Sequence, residues 1–203
     1  MFSMPESSIP GPLAIVLAAG ASSRMGHPKA LLALPSGTLL AEAQVHWLKE
    51  HGCSDALVVL GHDRERIAAA LPRLRIVYHP HWERGRFSSV CAGLAAADHA
   101  AGYIILPVDT VGIRPSTLRA ILNLARQKAP SVVRPTFNHQ PGHLLWLSTQ
   151  SRNELLALSH HTPDLRLDQW SAPLETRVEI DDPALLNNIN TPQQWQDYLA
   201  RPT

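Results

Sequence analysis

The chain has 203 residues, which is enough for one domain with a substantial buried core. Its formal net charge is +1 and 17% of its residues are charged, which argues against nucleic acid or an anionic membrane as a partner. No apolar run is long enough to cross a bilayer, and residues 1–12 lack the basic start and apolar core of a signal peptide. We expect a cytoplasmic protein with a disordered lead-in at 1–12 and a single domain at 13–203.

Strand and helix patterns alternate along the chain, which predicts a three-layer α/β fold with a mostly parallel central sheet. The predicted strands are Leu13–Ala18, Ala56–Leu60, Arg75–Tyr78, Tyr103–Leu106, Ser131–Arg134, Leu144–Leu147 and Leu174–Ile180. The predicted helices are Thr38–Glu50, Arg64–Leu71, Ser88–Ala97, Pro115–Gln127 and one from Thr191 to about Tyr198. Ligands of such sheets lie outside the carboxyl ends of the strands, so the loops beginning at Ala19, His79 and Pro107 are expected to form the site.

The first predicted strand leads into a loop that is suited to a polyphosphate. Residues 17–20 (Leu-Ala-Ala-Gly) pass from apolar to small side chains, which let backbone N–H groups approach a ligand closely. Arg24 and Lys29 place two cations in the same loop. The spacing matches neither the Walker pattern nor the Gly-x-Gly-x-x-Gly dinucleotide pattern, which indicates a third kind of phosphate loop. An ordinary glycine-rich strand-to-loop crossing is the alternative.

Residues 17–29 resemble the opening signature of the MobA/MocA-like NTP transferases, which attach a nucleotide to the molybdenum cofactor. That signature reads L-A-A/G-G-x-S-x-R-M-G-x-x-K, and this chain matches every specified position. Guanylyl-transferring members tend to read L-A-G-G and cytidylyl-transferring members L-A-A-G, so Ala19 places the chain with the molybdenum cofactor cytidylyltransferases. The resemblance implies a Rossmann-like nucleotidyltransferase fold of the nucleotide-diphospho-sugar transferase type.

Asp109 directly follows the fourth predicted strand, where a carboxylate is well placed for Mg²⁺, which prefers oxygen ligands. An aspartate that caps the following turn is the alternative. The resemblance implies the metal, because the family carries a magnesium-binding Asp here, commonly as D-x-P. In this chain Val111 replaces that proline.

The segment 188–192 (Asn-Ile-Asn-Thr-Pro) resembles the second metal-side motif of the family, written D-I-D-T-P or N-I-N-T-P. The resemblance implies Asn190 as a second metal ligand, and Asn188 less strongly. An amide oxygen contributes no charge, so this site would be weaker than one with two carboxylates. An asparagine pair that makes turn and cap hydrogen bonds before the last helix is the alternative.

Residues 79–90 are similar to the family segment N-x-x-W-x-x-G-M-x-x-S-L, which lies against the nucleotide base. Trp82, Gly85 and Ser89 match this segment, and Arg86 stands where methionine is usual. The serines at the start of the following helix could also act as N-caps.

Residues 138–144 resemble the family loop G-x-x-G-H-P, which lies near the acceptor substrate. Gly142 and His143 match, and Leu144 replaces the proline. A purely structural role for the histidine stays open.

The resemblance implies transfer of a nucleotide, CMP from CTP, to the terminal phosphate of molybdopterin, with Mg²⁺ and with release of pyrophosphate. Arg24 would hold the β- and γ-phosphates, Lys29 the α-phosphate and the attacking phosphate, and Asp109 with Asn190 the metal. The predicted catalytic residues are therefore Arg24, Lys29 and Asp109, and Gly142 and His143 are predicted to bind the acceptor. The nucleotide is predicted to contact Leu17, Ala18, Ala19, Gly20, Arg24, Lys29, Gly85 and Ser89.

Two other functions remain compatible with the sequence. The first is nucleotidyl transfer to a sugar phosphate or to another small phosphorylated alcohol. The second is a non-catalytic nucleotide- or cofactor-binding protein for the maturation of a molybdenum enzyme, to which the replaced prolines and the paired asparagines would be suited. A molybdenum enzyme that receives the product is a further partner that the leading function allows.

Overall fold

The structure is a computed structural model that describes residues 11–162 and 165–201. Within them, an eight-stranded sheet is built from β1 (Leu13–Ala18), β2 (Asp55–Leu60), β3 (Arg75–Tyr78), β4 (Tyr103–Pro107), β5 (Val132–Phe137), β6 (Gln140–Pro141), β7 (Leu145–Leu147) and β8 (Glu175–Glu179). The α-helices in the same residues are α1 (Leu40–Glu50), α2 (Arg64–Ala70), α3 (Arg86–Ala96), α4 (Pro115–Lys128), α5 (Thr149–Ser159), α6 (Leu167–Ser171) and α7 (Pro192–Leu199).

The strand order is β3-β2-β1-β4-β7-β5-β6, and β8 lies beside β5. Strands β1 to β4 are mutually parallel, as are β5 and β8, whereas β7 runs antiparallel to β4 and β5. The carboxyl ends of β1 to β4 therefore meet at one edge of the sheet, and the loops that follow them meet there too. The expected α/β fold with a mostly parallel central sheet is confirmed.

The two faces of β1 supply the cores on either side of the sheet, because successive side chains of a strand point to opposite faces. Ala14 and Val16 pack in one buried cluster with residues of α1 and α4, and Leu13 and Ile15 pack in a second cluster with residues of α3 and α5. Helix α3 approaches β1 closely at Gly93, where an added Cβ would lie 2.5 Å from Ile15 Cγ2. This packing produces the three layers.

The sequence analysis did not predict α5 and α6. Helix α5 begins at an N-cap serine, Ser148, whose hydroxyl accepts a hydrogen bond from Ser151 N at 3.1 Å. Within α5 only Ser151 and Leu155 are buried, so its apolar periodicity is weak. The cap was the stronger sequence signal for this helix.

Residues 1–10 of the expected lead-in lie outside the described residues. At its end, Gly11 O and Pro12 O accept hydrogen bonds from Ser54 Oγ at 2.9 and 3.3 Å, next to the start of β2. In the described part of the chain, no helix combines the length and the apolar character that crossing a bilayer requires.

Candidate active site

A cavity of about 410 Å³ opens at the carboxyl edge of β1 and β4. The predicted nucleotide-binding segment 17–20 lines this cavity together with Lys29, Gly85, Ser89 and Asp109. Three loops that are far apart in sequence thus contribute to one site. Asn190 joins the site through its amide oxygen, which accepts hydrogen bonds from both Arg24 and Lys29.

The loop after β1 is held by its own backbone. Ser22 adopts a left-handed conformation with φ of 52°, and its carbonyl accepts hydrogen bonds from Met25 N at 2.9 Å and Gly26 N at 3.2 Å. The Met25 side chain is buried in the core cluster, which anchors the loop to the body of the protein. Ser22 Oγ also accepts a hydrogen bond from Lys29 N at 3.3 Å. These contacts place Lys29 at the wall of the cavity.

Four polar side chains converge at this point. Lys29 Nζ donates to Asp109 Oδ2 at 2.7 Å and to Asn190 Oδ1 at 2.9 Å. Arg24 Nη2 donates to the same Asn190 oxygen at 3.1 Å. The side chains of Lys29 and Asp109 are 12% and 18% exposed, so the ion pair is sheltered while it remains open to a ligand.

The backbone around Asp109 is fixed by the segment before α7. Thr110 and Asn188 form an isolated antiparallel bridge, and Thr110 Oγ1 donates to Asn188 Oδ1 at 3.1 Å. Ile189 N donates to Asp109 O at 2.9 Å. The Asn188 amide oxygen is therefore engaged with Thr110, whereas the Asn190 amide oxygen faces Lys29.

Gln44 is a buried residue of this site that the sequence analysis missed. Its Nε2 donates to Thr110 O at 2.7 Å and to Val108 O at 3.4 Å, which ties α1 to both sides of Asp109. A glutamine on the apolar face of the helix pattern Leu40, Val45, Leu48 was the available signal, because a buried amide requires partners.

The oxygen donors of the site fit a small divalent cation. Asp109 Oδ2 and Asn190 Oδ1 already converge on one cation, the Lys29 ammonium, which shows that both can face the same positive charge. Carboxylate and amide oxygens are ligands that Mg²⁺ and Mn²⁺ accept, with phosphate oxygens and waters completing the shell. Among the described residues there is no cluster of three histidine, cysteine or acidic side chains that could hold a metal ion.

Trp82 closes the wall of the cavity on the β2 side. An added Cβ on Gly61, just after β2, would collide with the Trp82 side chain and lie 2.7 Å from Ala19 O. Ala19 O accepts a hydrogen bond from His62 N at 3.0 Å, and the His62 ring meets Trp82 edge-on. Glycine at position 61 thus allows this close approach, which the sequence analysis did not anticipate.

A second cavity of about 540 Å³ adjoins the first and contains the predicted acceptor residues. Gly142 and His143 line it, and Gly85 and Arg86 line both cavities. Gly142 N donates to Pro135 O at 2.8 Å, and an added Cβ at position 142 would lie 3.0 Å from that oxygen.

The side chains of the second cavity are strongly basic. Arg134 is nearly buried and donates to Glu175 Oε1 at 2.8 Å, a carboxylate that is 3% exposed. Burial by itself would raise the pKa of Glu175, but the hydrogen bond from Ser171 and the charge and hydrogen bond of Arg134 outweigh it and hold this pKa below its ordinary value. Burial lowers the pKa of His143, and the nearby Arg86 lowers it further. The imidazole is therefore neutral at pH 7.

The fold and the site together define an α/β protein with a cavity at the carboxyl ends of β1 and β4, where a lysine, a carboxylate and an amide oxygen meet. The sequence profile of the MobA-like NTP transferase domain matches residues 14–175, and the chain belongs to that family of nucleotidyltransferases.

Two curated relatives and one solved protein illustrate the comparison. The chain is 34% identical over 122 residues to "Nicotine blue oxidoreductase" from Paenarthrobacter nicotinovorans, covering 59% of each chain. It is 30% identical over 134 residues to "Probable molybdenum cofactor guanylyltransferase" from Rhodopirellula baltica, covering 64% of this chain and 63% of the relative. The match thus spans about three fifths of these relatives.

In structure, the chain is similar to Rv0371c from Mycobacterium tuberculosis H37Rv. The TM-score is 0.74 at 22% identity, with 94% of this chain and 99% of the other covered. A complex of the same protein with manganese gives a TM-score of 0.72 at 21% identity, with 93% and 98% covered. This likeness establishes the fold.

Proposed function

We propose that the protein transfers CMP from CTP to the terminal phosphate of molybdopterin or of the molybdenum cofactor and releases pyrophosphate. The observation that carries this proposal is the meeting of Arg24, Lys29, Asp109 and Asn190 beside the Leu-Ala-Ala-Gly loop. Cations next to oxygen ligands, in a cavity lined by small residues, are what an NTP with its metal requires.

In the proposed reaction an oxygen of the acceptor phosphate bonds to the α-phosphorus of CTP. The bond from the α-phosphorus to the bridging oxygen breaks, and its electron pair leaves with pyrophosphate. No general base is needed, because the acceptor phosphate is already ionised. Catalysis is then mainly positioning and neutralisation of charge.

Each side chain has a distinct part in that scheme. Lys29 stabilises charge on the α-phosphate and on the attacking phosphate, and Arg24 holds the β- and γ-phosphates. Asp109 and Asn190 would hold a divalent metal, and such a metal would supply neutralisation of charge on the phosphate oxygens. The manganese complex of Rv0371c supports a divalent cation in this fold. We propose Mg²⁺ as the metal of this chain.

The preference for CTP rests on Ala19. Its side chain is buried in the core cluster that includes Ile15 and Phe87, and the residue lines the nucleotide cavity. In the family that this loop resembles, Leu-Ala-Ala-Gly is typical of cytidylyl-transferring members and Leu-Ala-Gly-Gly of guanylyl-transferring members, and this pattern is what favours CTP over GTP. The relative named a guanylyltransferase makes GTP the direct competitor in any assay.

The decisive experiment measures pyrophosphate release from each of the four NTPs with Mg²⁺ and molybdopterin. We expect CTP to give the highest kcat/KM and Lys29→Ala to lose most of the turnover. Arg119→Met, which removes an exposed charge on α4, serves as the control. A preference for GTP would contradict the cytidylyl assignment.

Further outcomes of the same assay separate the alternatives. Turnover with a sugar phosphate but not with molybdopterin would identify a sugar-nucleotide enzyme. Saturable CTP binding without pyrophosphate release would identify a non-catalytic maturation protein for a molybdenum enzyme. The single-domain organisation of residues 13–203 and the cytoplasmic location stay predictions.

A further inference from the structure

Arg86 lies at the junction of the two cavities. It is the first residue of α3 and lines both the nucleotide cavity and the second, basic cavity. Its Nη2 donates to His143 O at 2.7 Å, which holds the guanidinium against the predicted acceptor loop. Its guanidinium is therefore within reach of a ligand in either cavity.

The second cavity carries an excess of positive charge. It is lined by two carboxylates and by five arginines, namely Arg84, Arg86, Arg134, Arg166 and Arg177. Glu175 accepts hydrogen bonds from Arg134 and Arg177, and Asp168 pairs with Arg166. The lining thus holds more cations than its own carboxylates neutralise.

Arg84 and Arg86 contribute two of the three positive charges in excess, and the third arises because Arg134 and Arg177 share Glu175. Among the residues that the structure describes, no carboxylate lies within salt-bridge distance of either guanidinium. Arg84 lines the second cavity but not the nucleotide cavity, whereas Arg86 lines both. Arg86 is therefore the unpaired cation that can reach a ligand in contact with the nucleotide.

We propose that Arg86 binds the attacking phosphate of the acceptor and thereby restricts the acceptor to phosphomonoesters. This inference rests on the proposed nucleotidyl transfer, and it adds a specificity-determining residue to that reaction. A guanidinium offers a planar pair of N–H donors that matches a phosphate, which a methionine at this position would lack. With one nitrogen held by His143 O, the remaining donors are oriented before the acceptor arrives.

The charge of Arg86 persists at neutral pH. The side chain keeps access to solvent, but the surrounding protein and the nearby Arg134 lower its pKa to about 10. The guanidinium is thus protonated at pH 7. Arg86 is the first residue of α3, so the partial positive charge of the helix N-terminus lies at the same junction, where it favours an anion.

The test uses inorganic phosphate as the probe on the full chain loaded with Mg²⁺ and CTP, with phosphate binding followed by ³¹P NMR. For Arg86→Met we expect phosphate to bind about tenfold more weakly or worse, because a charge-assisted contact is lost. The affinity for CTP should stay within about threefold, since Arg24 and Lys29 remain. Arg86→Lys should retain part of the phosphate binding, and Arg119→Met should match the wild type.

Three results would overturn the proposal. They are unchanged phosphate affinity in Arg86→Met, a loss of CTP affinity equal to the loss of phosphate affinity, and absence of saturable phosphate binding in the wild type. If the wild type binds no NTP, the proposed function fails separately. The same titrations without nucleotide then decide whether Arg86 binds phosphate.

Discussion

Replacing Lys29 with methionine should strengthen metal binding to the nucleotide-free protein while it removes turnover. The Lys29 ammonium lies 2.7 Å from Asp109 Oδ2 and 2.9 Å from Asn190 Oδ1, the two oxygens proposed to hold the metal. A metal that enters before the nucleotide must displace this ammonium. In the proposed nucleotide complex, the α-phosphate would give the ammonium another partner.

The size of the effect follows from the contact that must break. A hydrogen bond to a charged group contributes about 1.5–3 kcal/mol. Because Lys29 and Asp109 are 12% and 18% exposed, solvent screens the pair in part, which favours the lower end of that range. Each 1.4 kcal/mol corresponds to about tenfold in affinity, so Lys29→Met should bind metal roughly ten- to thirtyfold more tightly.

Electron paramagnetic resonance of Mn²⁺ measures this affinity without nucleotide and without turnover. Arg119→Met controls for the loss of one positive charge, and Asp109→Asn in the Lys29→Met background should abolish the gain. Unchanged or weaker Mn²⁺ binding in Lys29→Met would refute the reasoning. It would mean that the ammonium does not compete with the metal for these oxygens.

Three further predictions concern single side chains. Gly20→Ala should leave the free energy of unfolding within about 0.5 kcal/mol, because no atom lies within 4 Å of the added Cβ, but should weaken CTP binding measured by calorimetry. If the variant bound CTP as tightly as the wild type, the nucleotide would not contact this loop. Asp109→Asn should raise the Mg²⁺ concentration for half-maximal turnover by about tenfold or more, because the metal loses a charged ligand. An unaltered magnesium titration would show that Asp109 does not bind the metal. Burial and the neighbouring His81 lower the pKa of His79, so the folded protein binds fewer protons there than the unfolded chain. The free energy of unfolding should therefore fall as the pH drops from about 6.5 through the lowered pKa of His79. Urea unfolding of His79→Gln should show a shallower fall over the same pH range, and an equally steep fall would contradict this prediction.

The central strands were predictable because each is a contiguous run of apolar residues, which is typical of a strand that is buried on both faces. Residues 13–18 and 103–106 are apolar runs in the sequence, and both became central strands. Strand β5 was predicted to end at Arg134 but continues through Pro135 to Phe137. Proline lacks only the N–H donor, and Pro135 O still accepts a hydrogen bond from Gly142 N at 2.8 Å.

The candidate site was predictable only in part. The family resemblance named Lys29, Asp109 and Asn190, and the structure brings these residues together across 80 and 161 positions of sequence. The contact of Arg86 with a backbone carbonyl and the buried pair of Arg134 and Glu175 had no sequence signal of this kind. Such contacts depend on where α3 and β8 lie relative to β5, which no local pattern encodes.

The net charge of +1 makes the local placement of cations the main source of affinity for anionic substrates. Fields from exposed charges decay over about 8 Å at physiological salt, so arginines outside the cavities contribute little to binding inside them. Lys29 and Arg86 line the first cavity, the proposed nucleotide site, and Arg86 also lines the basic cavity beside it. Two arginine-to-methionine variants with the same net charge should therefore differ in phosphate affinity, because only one of them removes a cation at the junction.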